Sequence, residues 1–192
     1  SNYAQVDATT QGEAVKPLEA ILDAKGIKVL AWGENGFREL TNNKQPVKSP
    51  EDMKGLNVRV AGPMYIDVMN ALGANPQQMQ WSETLTALQQ GVVDGQENPI
   101  GAVIIPQQVY EMQKYLTTWH YSYDPLFLGI SKAKWDSLDA DTQAKFQDAA
   151  TEAMAFQRQI TWSADSSVGS SFRAYRDSGC GGFSRCFCST AA

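Results

Sequence analysis

The run Lys54-Gly55-Leu56-Asn57-Val58-Arg59-Val60-Ala61-Gly62-Pro63 alternates apolar and polar residues and then meets a glycine and a proline. An expected strand over Leu56–Val60 puts Leu56, Val58 and Val60 on one face and Asn57 and Arg59 on the other. Pro63 suits a first helical position, and the helix it starts is expected to reach Leu72, with Gly73 as its stop. Strand, tight turn and helix within so few residues is an α/β rhythm.

The rhythm recurs in both directions. Upstream, Ser49-Pro50-Glu51-Asp52 reads as a short helix start, and Thr41 to Val47 as a polar connector. Before that, Val15, Leu18, Ile21 and Leu22 recur at helical spacing over Gly12–Lys25, and Ile27–Trp32 is a β-run ended by Gly33. Downstream, Asn75-Pro76 reads as a turn, Ser82 as the cap of a helix with Leu85 and Leu88 ended by Gly91, and Val92-Val93 as a minimal strand. Asp94-Gly95-Gln96-Glu97-Asn98-Pro99 is rich in turn formers. A helix is expected from about Pro106 to Leu116, then an aromatic extended run Thr118–Ile130 that Pro125 bends or breaks. Asp139 caps a last helix to about Ile160, with Phe146, Ala149, Ala153, Phe156 and Ile160 as its buried stripe. Alternation of this kind points to an α/β fold with a largely parallel sheet.

The 192 residues carry 16 basic and 21 acidic side chains, a net charge of −5, which lacks the basic footprint of a nucleic-acid binder. That balance says little about small anions, because two placed arginines suffice for a carboxylate. No apolar run reaches the ~18 residues of a membrane span. Ser1-Asn2-Tyr3-Ala4-Gln5 lacks the basic-then-apolar pattern of a leader. The final stretch differs in kind: Ser163–Ala192 holds eight serines, four glycines and all three cysteines, with no helical or strand period. Cys180, Cys186 and Cys188 are spaced C-x5-C-x-C, which matches no zinc pattern, and His120 is 60 residues away. No metal ligands and no cofactor site are expected.

Catalytic chemistry is poorly supported. There is one histidine, no nucleophile elbow, no P-loop and no dinucleotide fingerprint. His120 sits between Trp119 and Tyr121, a structural or surface setting. No catalytic residue is assigned. Arg59 is the more informative residue. It lies near the C-terminal end of a strand, four residues before a helix start, where α/β sheets gather ligands and helix N-termini favour anions. There it either pairs with a carboxylate or extends its head to solvent, and spacing alone leans to the second. Trp81 is either core or pocket lining. Asn98 reads as a turn asparagine, and Arg38 as a surface charge.

Three blocks in order carry a resemblance: Lys54–Val60, Ala71-Leu72-Gly73-Ala74-Asn75-Pro76, and Ala87-Leu88-Gln89-Gln90-Gly91-Val92-Val93-Asp94-Gly95-Gln96-Glu97-Asn98-Pro99. They resemble the solute-binding proteins of TRAP transporters, the DctP family. Gly33–Arg38 and Tyr110–Leu116 also fit, so the similarity runs from about Gly12 to Trp162.

The resemblance implies a two-lobed, periplasmic-binding-protein-like α/β fold of the class II type, here incomplete. It implies a periplasmic, non-enzymatic and monomeric receptor that closes on a small organic acid and hands it to TRAP membrane permease subunits. C4-dicarboxylates, sugar acids and keto acids are the ligands it suggests. Arg59 matches the arginine that clamps the ligand carboxylate, Asn98 the asparagine that helps hold it, and Arg38 a second site arginine. Trp81 stands where the family often has Phe, and so lines the pocket with altered shape. An enzyme on the same fold and a ligand-sensing module are the alternatives. The domain expectation is a remnant of lobe one over 1–35, lobe two over 36–124, a crossover with the long helix over 125–165, and a disordered or out-of-frame tail over 166–192. The family's N-terminal portion, with leader and first strands of lobe one, is expected to be missing.

Overall fold

The computed structural model describes residues 2–177, with side chains through residue 165. Cys180, Cys186, Cys188 and the rest of residues 178–192 lie outside the described residues. The chain divides into two compact units, one built from Ser1–Gly36 and Tyr123–Ser166, the other from Phe37–Ser122. Among the described residues no helix is long and apolar enough to cross a membrane.

The elements in chain order are α1 (Tyr3–Thr10), α2 (Lys16–Ala24), β1 (Ile27–Asn42), β2 (Asn57–Val60), α3 (Pro63–Ala71), β3 (Asn75–Gln78), α4 (Trp81–Gln90), β4 (Gly95–Pro99), β5 (Tyr115–Ser131), α5 (Lys132–Asp136) and α6 (Ala140–Asp177). Strands β1 and β5 each run through a unit boundary. The sheet order is β3-β2-β4-β1-β5. It is mixed rather than largely parallel: β2 pairs in parallel with β3 and β4, whereas β1 runs antiparallel to β4.

In the second unit the alternation over Leu56–Val60 does what it predicts. Leu56, Val58 and Val60 are buried with Leu40, Met53 and Met69 in one core cluster. A second cluster gathers Leu88, Val93, Ile100, Ile104 and Val109. Four local readings in this unit are overturned. Asn75-Pro76 is strand, not turn; β3 lies at the sheet's end, where a proline interrupts no second ladder. Val92-Val93 is not a strand; the strand is the run read as turn-rich, Gly95–Pro99, and all five residues are buried. Gly95 is there for close approach, since a Cβ on it would run into the carbonyl oxygen of Thr41. No helix spans Pro106–Leu116: the backbone makes short turns at Ile100–Ile104 and Val109–Glu111, and Gln108 between them is left-handed at φ 53°. The polar connector begins later than Thr41, because β1 continues to Asn42.

In the first unit β1 does not stop at Gly33. That glycine is not a turn but a contact: a Cβ on it would lie 2.8 Å from Gln157 Oε1 and 2.9 Å from Met154 Sδ on α6. Strand β5 likewise passes through Pro125 unbroken, at the other end of the sheet order. Asp139 caps α6 as expected, its Oδ1 accepting from the Thr142 N–H at 2.8 Å. The helix then extends beyond Ile160, to Asp177. Its expected buried stripe is exposed, with Phe146 at 46%, Phe156 at 63% and Ile160 at 53%. The inward face is instead Gln147, Ala150, Met154, Gln157 and Thr161, whose 3–4 spacing is the same. Those glutamines win because they satisfy strand backbone: Gln147 Nε2 donates to Leu30 O at 2.6 Å, Gln157 Nε2 to Glu34 O at 2.6 Å, and Glu34 N–H to Gln157 Oε1 at 2.9 Å. Among the described residues, eight of the eleven exposed large apolar side chains belong to this unit, and the two larger apolar core clusters lie in the second.

Candidate functional site

The buried polar cluster of the second unit forms where β2 and β4 lie side by side and β1 flanks them. The register pairs Arg38 with Pro99, Glu39 with Asn98, and Arg59 with Gln96. Three neighbouring strands thus bring Arg38, Arg59, Gln96, Glu97 and Asn98 together in the sheet interior.

Arg59 is 5% exposed, so its head does not extend to solvent. Its Nε and Nη2 both donate to the carbonyl oxygen of Met79, at 3.1 and 2.9 Å. Its guanidinium lies over the Trp81 ring, 5.4 Å from the centroid. Trp81 is the first residue of α4 and is half-buried: its ring packs against the Leu88 cluster and also meets the Arg59 guanidinium. Nη1 of Arg59 has no hydrogen-bond partner among the described residues. Burial lowers the Arg59 pKa, the Glu97 carboxylate works against that, and Arg38 adds to it. The guanidinium stays charged all the same.

Arg38 is not a surface charge; it is 3% exposed. Its Nε and Nη2 reach both carboxylate oxygens of Glu97, the second at 2.9 Å, and Nη2 also bonds Glu97 O at 2.7 Å and Asn98 Oδ1 at 3.2 Å. The Tyr65 ring stacks on it at 4.8 Å. Glu97 is fully buried and also accepts from the Tyr121 hydroxyl. Burial raises the Tyr121 pKa far above its ordinary value, and the Glu97 charge adds to this. Asn98 is no turn asparagine: it sits in a buried strand, its Nδ2 donating to Gln96 Oε1 at 2.6 Å, and Gln96 Nε2 donates on to Thr41 Oγ1 at 2.9 Å.

Arg38, Arg59, Asn98 and Trp81 are therefore brought together in one unit. Glu97 and Tyr121, which hold Arg38, went unassigned in the sequence, as did Gln96 and the Met79 carbonyl. The only signal for Glu97 was an acid between two amides in a run with no apolar residue. The charges sum to one net cation, since Glu97 cancels Arg38. A buried guanidinium with one uncommitted nitrogen beside an aromatic ring can take a carboxylate oxygen. His120 lies elsewhere, bonded through Nδ1 to Glu39 and stacked on Phe37 at 4.8 Å. No group of residues suited to holding a metal ion occurs among the described residues.

Comparison with known proteins gives the setting. Residues 1–176 match the DctP family, bacterial extracellular solute-binding protein, family 7. The chain is 40% identical over 158 residues to the 2,3-diketo-L-gulonate-binding periplasmic protein YiaO of Escherichia coli K12, covering 82% of this chain and 48% of that protein. It is 39% identical over 160 residues to the C4-dicarboxylate-binding periplasmic protein DctP of Rhodobacter capsulatus, covering 83% and 47%. Among solved structures, a TRAP periplasmic solute binding protein from Ralstonia eutropha H16 with bound (S)-2-acetolactate superposes with a TM-score of 0.87 at 38% identity, over 96% of this chain and 59% of that one. The chain spans about half the length of the curated relatives it matches.

Proposed function

This chain belongs to bacterial extracellular solute-binding protein family 7, and on that premise we propose that it serves as the solute receptor of a TRAP-type transporter, binding a small organic acid by one carboxylate group. It works outside the cytoplasm, in the periplasm, and delivers the ligand to membrane permease subunits. It binds its ligand without transforming it, a reading supported by relatives that are named as binding proteins.

One observation carries this reading: the buried Arg59, anchored by the Met79 carbonyl, backed by Trp81, and with Nη1 uncommitted. The anchor spends Nε and one Nη2 hydrogen. What remains is a donor edge held rigidly enough that a carboxylate oxygen loses little entropy on meeting it. Asn98 and Arg38 frame the same place, and the net single cation matches one carboxylate. The three relatives named bind a diketo sugar acid, a C4-dicarboxylate and a branched keto-hydroxy acid, and a carboxylate is what those ligands share.

The test is thermal-shift and calorimetric titration of the protein with hydroxy acids, keto acids and C4-dicarboxylates. At a hundredfold excess over Kd, a bound acid stabilises by about 2.7 kcal/mol. Arg59→Ala removes charge-assisted bonds that contribute ~1.5–3 kcal/mol each, so affinity should fall at least tenfold to about a hundredfold. If no acid stabilises the parent, or Arg59→Ala responds as the parent does, the carboxylate reading is wrong.

A further inference from the structure

The first unit holds a buried acid with no part in the carboxylate site. Glu34 lies in β1 between Gly33 and Asn35, and its side chain is fully buried. Its Oε2 accepts from the Trp162 indole N–H, and its Oε1 has no partner among the described residues. The same residue's backbone is gripped on both sides by the Gln157 amide, at 2.9 Å to its N–H and 2.6 Å from its carbonyl. Gly33 next to it is what lets α6 approach so closely. Strand and helix are thus joined at one residue by three bonds, of which one involves a titratable group.

We propose that Glu34 is a proton-operated latch: the neutral carboxyl closes β1 onto α6, and loss of its proton releases that stretch of strand from the helix.

On balance the surroundings favour the neutral form. Helix α1 brings Asp7, which pairs at 3.4 Å with Arg158, and Tyr3, whose hydroxyl donates to Asp165. Helix α6 brings Trp162, Arg158 and Asp165. Strand β5 brings Tyr123 and Asp124, the latter accepting from Asn35 Nδ2 at 3.3 Å. Two acids, Asp165 and Asp7, oppose a charge on Glu34. Arg158, the cation that acts on Glu34 among the described residues, is shared with Asp7 and with the Trp32 carbonyl, to which its Nη1 donates at 2.6 Å. Burial accordingly pushes Glu34 up to about 7, partly offset by the Trp162 bond and Arg158, and aided by Asp165 and Asp7. A carboxylate with one unpaired oxygen is costly to hold in such a box, so the ion either leaves it or draws water in. The sign follows: an acid whose folded pKa is raised contributes stability that is present at low pH and lost as pH climbs through the folded value. The window runs from the ordinary carboxyl range up through about 7.

Hydrogen exchange of the protein across about pH 5 to about pH 9, corrected for intrinsic rates, reads the latch directly. Amides of residues 31–36 should lose protection by about a hundredfold over that range beyond any global change, while Glu34→Gln, which keeps the Trp162 acceptor and cannot ionise, should stay flat. The 13C resonance of the Glu34 carboxyl gives an independent reading in the unmodified protein. A midpoint near neutrality supports the latch. A midpoint in the ordinary carboxyl range, or parallel exchange profiles for parent and Glu34→Gln, overturns it.

Discussion

Replacing Glu97 by glutamine isolates one charge in the polar cluster and leaves shape nearly unchanged. The parent pair is deeply buried, with side-chain exposures of 4% for Arg38 and 0% for Glu97. Its carboxylate receives Arg38 Nε and Nη2 together with the Tyr121 hydroxyl. A glutamine offers one oxygen and sets an NH2 group against the guanidinium or the hydroxyl. The arginine keeps its bonds to Glu97 O and Asn98, but its charge loses its counter-ion. Removing one partner of a buried ion pair costs about 3–5 kcal/mol, and the retained oxygen puts Glu97→Gln at the lower end, about 3 kcal/mol. That is a large share of a marginal stability of ~5–15 kcal/mol. The companion is Arg38→Met in the same background. With both charges gone the double variant should recover about 1–2 kcal/mol relative to Glu97→Gln, because the penalty comes from the orphaned charge and not from the missing bond. Urea unfolding followed by tryptophan fluorescence and circular dichroism measures both. A loss below ~1 kcal/mol for Glu97→Gln, or single-variant losses that add without coupling, would refute the buried-charge argument.

Two further outcomes test the fold. Gly95→Ala should lose about 3 kcal/mol or fail to fold, because its Cβ meets the Thr41 backbone rather than a flexible side chain; chemical denaturation of the purified variant decides it. Asp139→Ala should lower Tm by a few degrees and raise exchange in the first turn of α6, and Asp139→Asn should restore most of it, since Asp139 accepts from Thr142. The Thr142 N–H also lowers the Asp139 pKa, so the cap's ionic contribution is present above the ordinary carboxyl range and fades as pH falls through the lowered value.

How far the sequence could be read depended on whether local pattern and long-range placement agreed. Leu56–Val60 and Pro63 were legible because alternation, glycine and proline act within a few residues, and burial of Val58 and Val60 followed the period. Gly95–Pro99 was misread for the opposite reason. By propensity it is a turn, and only its position between β2 and β1 makes it a strand. The same holds for the stripe on α6. Two faces shared one spacing, and hydrophobicity chose the wrong one, because the strand beside the helix needed amide partners for its backbone. Arg59 was legible as a candidate from its place at a strand end. Its burial was not, since that depends on the Met79 carbonyl and Trp81 arriving from another segment. Glu97 lay in plain view but carried no local mark of its pairing with an arginine 59 residues earlier.

The row of side chains from Arg38 through Asn98 and Gln96 to Thr41 has a direction. A guanidinium has no lone pair to offer, so the Asn98 atom facing it must be the oxygen. The Asn98 nitrogen is then turned to Gln96, whose oxygen must receive it, and the Gln96 nitrogen is left for Thr41. Each amide alone has two nearly isosteric settings, yet the row admits one. Arg38 thus works as a reference mark as much as a charge. It writes a single donor–acceptor polarity across the floor of the cluster, and a lysine there, with its rotatable ammonium, would still donate but would no longer fix the angle at which the message starts.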